Sequence, residues 1–236
     1  MSNHRRAQLI RCGFDVLCIY LMCFTFIGGA MANEQIKEQK SISLPEIVIS
    51  DDSSVPAILQ QRRSVREYQD VSLSLHEIGQ LLWAAQGITH PQGLRTAPSA
   101  GALYPLELYV AVGRVEGLTE GIYHYNPNKH QLKMIAFGDQ REALARAALG
   151  QSWIADAAAV VAFTAVYERT TRKYGRRSKR YVHIEVGHAA QNLFLQAEEL
   201  GLGTVDVGAF NDNDVAKLLQ IPADTEPVIL MPVGKR

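Results

Sequence analysis

Lys173 and Tyr174 stand side by side in a locally basic run, RTTRKYGRRSKRY, from Arg169 to Tyr181. An ammonium next to a phenol can take up or release a proton once burial or neighbouring cations shift either group. The plainer reading of the same run is a basic surface loop. A second set is Arg62-Arg63-Ser64-Val65-Arg66. Guanidinium forks match phosphate oxygens in pairs, and serine adds a short donor; read without a ligand, this is a solvated charged loop. A third set lies within Arg95–Pro105, where Pro98, Ser99, Ala100 and Gly101 follow one another. Small residues let a backbone approach a flat polar ligand closely, or simply make a tight connection over the core.

Three further stretches carry weaker signals. Val207-Gly208-Ala209 separates a strand-like segment from a capped helix. Lys235 and Arg236 close the sequence directly after another strand-like segment, where they could serve as a second phosphate grip. Gly187-His188-Ala189-Ala190-Gln191-Asn192 offers small residues for close packing. His183 and His188 are five apart, which does not align them on one helical face for a metal. Asp212-Asn213-Asp214 lacks the glycine and terminal glutamate of a calcium loop and reads as a helix cap. No metal site is expected.

The elements that must hold these residues can be read from periodicity. Ser53 or Ser54 caps a helix from Val55 to about Arg62, with Pro56 in its first turn. Leu75–Gln86 is a second helix with Ile78, Leu81, Leu82 and Ala85 on one face. Ser74 and Glu77 form its capping box and Gly87 its stop. Leu106–Val112, Gly121–Tyr125, Gln131–Ile135, Ala158–Tyr167, Thr204–Val207 and Val228–Val233 read as strands, the second and third as a hairpin across Asn126-Pro127-Asn128. Asp139 should cap a helix from Gln140 to Leu149. Tyr181–Leu200 should form a long helix, and Asp212 or Asn213 should cap one ending at Leu219. Helices mixed with strands and a hairpin predict an α+β fold around a mainly antiparallel or mixed sheet.

Of the 236 residues, the first 32 have the layout of a secretory signal peptide. Arg5, Arg6 and Arg11 precede an apolar run from Val16 to Ala30, and Ala30-Met31-Ala32 is a cleavage pattern. The expected product is exported, periplasmic, and cut after Ala32. Arg5-Arg6 raises the twin-arginine route, but Ala7-Gln8-Leu9 suit that signal poorly. Residues 33–54 read as an extended N-terminal arm and 55–236 as one domain. All three cysteines, Cys12, Cys18 and Cys23, fall in the leader. The mature chain then has no disulfide and no thiol nucleophile. Removing Arg5, Arg6, Arg11 and Asp15 leaves 21 basic and 23 acidic residues, a net charge of −2, with no global excess to attract nucleic acid.

Taken together, six stretches occur in an order that resembles the nitroreductase superfamily. They are Arg62-Arg63-Ser64-x-Arg66, Pro98-Ser99-x-Gly101-x-x-x-Pro105-x-Glu107, Lys173-Tyr174, Gly187-His188-x-x-Gln191-Asn192, Gly201-Leu202-Gly203-Thr204 and Pro232-Val233-Gly234. The similarity spans about Val55 to Arg236 and is nearest to the SagB-type dehydrogenases, which include azoline oxidases. The resemblance implies an FMN-dependent oxidoreductase and an intertwined homodimer with flavin at the subunit interface. It implies that Arg62, Ser64 and Arg66 hold the FMN phosphate and ribityl chain, with Arg63 contributing its backbone. It places Pro98, Ser99, Ala100 and Gly101 along the flavin, Val207, Gly208 and Ala209 beside the ring, and Lys235 or Arg236 at the phosphate. Lys173 and Tyr174 match a pair used for proton removal in the azole-forming branch. The substrate implied is a small organic molecule, and the electron donor or acceptor stays open. The alternative is an exported flavin-binding electron carrier without a dedicated substrate. Two departures stand out. Ala102 occupies a position where classical nitroreductases carry a polar residue, often Asn. An exported chain would also lie away from NAD(P)H.

Overall fold

In Leu106–Val112, Leu106, Leu108, Val110 and Val112 alternate with Glu107, Tyr109 and Ala111, so the strand presents apolar groups to both faces of a sheet. That is how it is used. The computed structural model describes residues 41–46 and 54–236, which fall within one unit from Ser41 to Arg236. Its seven strands are β1 (Ile42–Ser43), β2 (Leu106–Val112), β3 (Gly121–Asn126), β4 (Gln131–Phe137), β5 (Ala159–Ala165), β6 (Leu202–Thr204) and β7 (Glu226–Lys235). They form one sheet in the order β1-β4-β3-β2-β5-β7-β6. Every strand ladder is antiparallel. β5 lies between β2 and β7 and every one of its residues is buried, which explains its nearly unbroken apolar sequence.

Helices cover both faces. They are α1 (Val55–Gln61), α2 (Leu75–Gln86), α3 (Arg141–Ala147), α4 (Trp153–Asp156), α5 (Tyr167–Tyr174), α6 (Ser178–Glu199) and α7 (Asp212–Leu219). Ile78, Leu81 and Leu82 of α2 and Val182, Ala189 and Leu193 of α6 pack with Leu108, Val110 and Phe163 of the sheet. On the other face Leu144 of α3, Ile154 of α4 and Val215 and Leu219 of α7 meet Tyr109, Val160 and Ala162. The α+β class and the antiparallel sheet are therefore as the sequence indicates.

Several boundaries differ. Residues 1–32 and most of 33–54, expected as a leader and an extended arm, lie outside the described residues; Ile42–Ser43 pairs with Leu132 and Gln131 of β4. The basic run expected as a loop is mostly helical: α5, a 3-10 turn at Gly175–Arg177, then α6, which starts three residues ahead of Tyr181. Tyr167 begins α5 rather than ending β5. β6 ends at Thr204, where the strand was expected to begin, because the chain turns away to bridge β7 again at Val207. Asp139 is not the cap residue of α3; it sits one position earlier, accepts from the Arg141 N–H at 3.0 Å and pairs with the Arg141 guanidinium. The cap of α7 is Asn211, whose side chain accepts from the Asp214 N–H at 3.1 Å. The Ser74–Glu77 capping box is as read.

Candidate functional site

The segment from Arg95 to Pro105 is pinned at both ends. Thr96 N–H donates to the Gly87 carbonyl (2.9 Å), and Val166 N–H to that of Pro105 (2.9 Å). Between these anchors the backbone takes an uncommon course: φ is +66° at Gly101, +54° at Ala102 and +45° at Tyr104. Ala102 and Tyr104 each carry a side chain in the left-handed region, at a cost of about 1 kcal/mol or more. Hydrogen bonds hold them there. Ala102 N–H donates to the Ser99 carbonyl (3.0 Å), Tyr104 N–H to the Ser99 hydroxyl (2.9 Å), and Arg169 to the Tyr104 carbonyl (3.0 Å). Strain retained in this way concentrates at functional segments.

Directly above this turn lie Lys173 and Tyr174. A methyl group added to Gly101 would stand 2.8 Å from the Tyr174 hydroxyl and 3.0 Å from the Lys173 ammonium. Glycine is required twice over, for its φ and for this approach. Arg169 shares the face of α5 one turn before Lys173. Besides the Tyr104 carbonyl, it binds Glu107 of β2 at 2.5 Å. The other Glu107 oxygen meets His124 at 2.8 Å. Burial pushes the Glu107 carboxyl up, but its hydrogen bonds to His124 and Arg169 outweigh this and leave it below the usual range. The first turn of α5 is thus tied to β2 by a charge pair and to the strained turn by the hydrogen bond to the Tyr104 carbonyl. The ring of Tyr174 packs edge-on against Tyr181, with centroids 4.9 Å apart.

Behind the turn lies a buried acid that sequence reasoning missed. Glu185 of α6 is 2 % exposed. Burial raises its carboxyl to about 7, although the Ser99 hydroxyl and the Arg95 charge both favour the ionised form. Arg95 in turn donates to Gln86 at 2.6 Å and lies over the Tyr104 ring, 4.5 Å from its centroid. The signal in the sequence was a carboxylate within the apolar stripe Val182, Val186, Ala189, Leu193.

The arginine segment occupies the β6 edge of the sheet. Ser64 bridges Thr204, and Val65 N–H donates to the Thr204 carbonyl at 2.9 Å. Farther along, Gln69 N–H donates to the Lys235 carbonyl at 2.9 Å. This close docking is made possible by Gly203 and Gly234, which face each other across β6 and β7. A Cβ on Gly203 would meet Val65 at 2.6 Å, and one on Gly234 would meet Tyr68 at 2.9 Å. Arg62 rests on the Phe194 ring (5.1 Å to its centroid) and Arg66 on that of Trp153 (5.5 Å). The Arg63 side chain folds back onto the carbonyls of Gln60 and Arg62. Among the described residues none of these three arginines forms an ion pair.

Lys235 and Arg236 differ. Lys235 pairs with Glu77, and Arg236 makes a two-pronged contact with Glu198 at 2.7 and 2.9 Å. The Glu77 carboxyl is pushed up by burial, but hydrogen bonds from Lys235 and Ser74 prevail and hold it below its ordinary value. The stretch after β6 is anchored by paired hydrogen bonds between Val207 and Leu230 (2.8 and 2.9 Å) and by Gln151 donating to the Ala209 carbonyl (2.9 Å). Gly208 and Ala209 are exposed, and a Cβ on Gly208 would meet none of the described residues within 4 Å.

The sequence-derived candidates therefore form two groups. Pro98–Gly101 meets Lys173 and Tyr174. Arg62–Arg66, Val207–Ala209, Lys235 and Arg236 gather along β6 and β7. Helix α6 lies between them, with Glu185 behind one group and Phe194 and Glu198 beside the other. Among the described residues no hydrogen bond or ion pair joins Arg62–Arg66 to Gly101, Lys173 or Tyr174.

Comparison with known proteins identifies the family of the chain. The profile of the Nitroreductase family matches residues 59–235. A nitroreductase-like protein of Methanocaldococcus jannaschii is 49% identical over 195 residues, covering 83% of this chain and 96% of that protein. The microcin B17-processing protein McbC of Escherichia coli is 28% identical over 171 residues, 69% of this chain and 62% of its own. Among solved structures, a nitroreductase-like protein of Ralstonia eutropha superposes with a TM-score of 0.74 at 28% identity, covering 84% of this chain and 90% of the other.

Proposed function

Since this chain belongs to the nitroreductase family and is an oxidoreductase, we propose that it binds FMN and moves two electrons between that flavin and a small organic substrate, in the manner of the SagB-type branch. The observation that carries the reading is the meeting of Gly101 with Lys173 and Tyr174, two segments about 70 residues apart in the sequence. The residues suit the cofactor. Three guanidinium groups without a carboxylate partner among the described residues stand along one edge, and the open backbone at Gly208 suits a flat ring.

In this reading Arg62, Ser64 and Arg66 hold the phosphate and ribityl chain, with Arg63 serving through its backbone. Lys235 or Arg236 adds a grip when drawn from its carboxylate. Pro98, Ser99, Ala100 and Gly101 lie along the flavin, and Val207, Gly208 and Ala209 lie beside its ring. When bound, the flavin supplies the two-electron chemistry, which is the cofactor's own. The Lys173 ammonium and the Tyr174 hydroxyl exchange a proton with the substrate. Arg169, through Glu107 and the Tyr104 carbonyl, keeps both groups over the turn. The two groups of site residues are completed by a second copy of the chain. The exposed stripe of Ile184, Gly187, His188 and Gln191 on α6 supports such a homodimer. The leader at 1–32 supports export to the periplasm after cleavage at Ala32, and so an electron partner other than NAD(P)H.

The test is a visible spectrum of the purified chain incubated with FMN, then the rate at which menadione reoxidises the flavin once dithionite has reduced it. Lys173→Ala and Tyr174→Ala are expected to lose about 10²- to 10⁴-fold in that rate while keeping the flavin. An undiminished rate in both variants would remove the proton role, and a folded chain that takes no FMN would remove the function.

A further inference from the structure

Glu185 is a costly residue to keep. Its side chain is buried in the apolar face of α6, and one carboxyl oxygen, Oε1, has no hydrogen-bond partner among the described residues. An unpaired buried carboxyl in a packed helix destabilises a fold and calls for a reason. Its surroundings supply one. The Ser99 hydroxyl lies close enough to the Glu185 carboxyl to favour its ionised form, and it accepts the Tyr104 N–H. Ser99 lies two residues before Gly101, and Gly101 touches Lys173 and Tyr174.

We propose that Glu185 is a positioning residue whose carboxylate grips Ser99 from behind, holding the Gly101–Tyr104 turn beneath Lys173 and Tyr174, and that the grip tightens when the carboxyl ionises. The ionised group accepts the Ser99 O–H as a charge-assisted bond, stronger than the neutral form can make. Losing its proton is the only chemistry Glu185 performs. The charged group facing it is Arg95 from the loop. Arg95 is itself flanked by Glu107 of β2, Arg169 of α5 and Tyr104, while α2 contributes the neutral Gln86. Because burial raises the Glu185 carboxyl to about 7, the grip changes across neutral pH. The raised value also fixes the sign of a stability effect. Glu185 stabilises the fold most at low pH, and that contribution is lost as pH rises through about 7.

The inference rests on the proton role assigned to Lys173 and Tyr174, but its test has a readout that does not. The thermal midpoint of the purified chain, followed from pH 5 to 9, is expected to fall through an inflection near 7. Glu185→Gln should abolish that inflection, and Ser99→Ala should move it to higher pH, because the ionised form has lost its donor. In the FMN-loaded chain reduced with dithionite, reoxidation by menadione should show the same inflection, with the faster limb at high pH. Glu185→Gln, whose amide oxygen still accepts from Ser99, should keep a pH-independent rate, and Glu185→Ala should lose ~10-fold or more through the displaced turn. An unchanged inflection in Glu185→Gln, or one that Ser99→Ala leaves in place, overturns the proposal. A chain that takes no FMN overturns the proposed function instead, and the thermal midpoints then decide the Ser99–Glu185 grip alone.

Discussion

Two cationic regions flank the same sheet edge and behave differently. Lys235 and Arg236 are paired with Glu77 and Glu198. Arg62 and Arg66 lie on aromatic rings with no carboxylate beside them among the described residues. In the sequence both look like phosphate grips. The difference shows that charge alone does not mark an anion site; what matters is whether the charge is already committed. A ring face holds a guanidinium in place and leaves its hydrogen-bond donors free. A carboxylate fork holds it equally well and consumes them.

Mutation can break or sharpen this contrast. The largest effect is expected from Arg62→Ala combined with Arg66→Ala, which should weaken FMN binding by ~10²-fold or more, since each charged hydrogen bond contributes about 1.5–3 kcal/mol. Fluorescence titration of FMN would read it, and an unchanged affinity would erase the distinction between the regions. Next comes Arg236→Ala. It leaves the Glu198 side chain, 4% exposed, without its partner, so the fold should lose about 2–3 kcal/mol in urea unfolding, a partly exposed version of a broken buried pair. FMN affinity should change less than in the Arg62 variant. The smallest effect is a pH dependence. The Glu77 carboxyl lies below its ordinary value in the fold, so its pairing with Lys235 contributes stability above the unfolded value and loses it as pH falls. Lys235→Met should flatten the acid limb of a thermal-midpoint profile below about pH 4.5, near the ordinary carboxylate range.

Local signals were legible where local physics decides the outcome. Leu106–Val112 was read with its true ends because alternation and β-branched content agree, and the Ser74–Glu77 capping box needs only a four-residue window. The basic run was not legible as helix. Tyr167–Tyr174 carries little apolar surface, and its place is set by Arg169 reaching Glu107, 62 residues away. Glu185 stayed hidden for the same reason, because Ser99 reaches it only through the fold. The members of the candidate site were visible as motifs; which cations are free, and what stands behind the turn, depend on contacts between distant segments.

Gly203 and Gly234 offer a separate handle on the arginines. Because these two positions carry no side chains, Val65 and Tyr68 can lie flat on the β6–β7 edge. The location of Arg62, Ser64 and Arg66 is thus encoded in two missing methyl groups as much as in the arginines themselves. Replacing either glycine would shift the whole arginine segment without altering a single charge, which makes this pair the place where position and electrostatics can be varied independently.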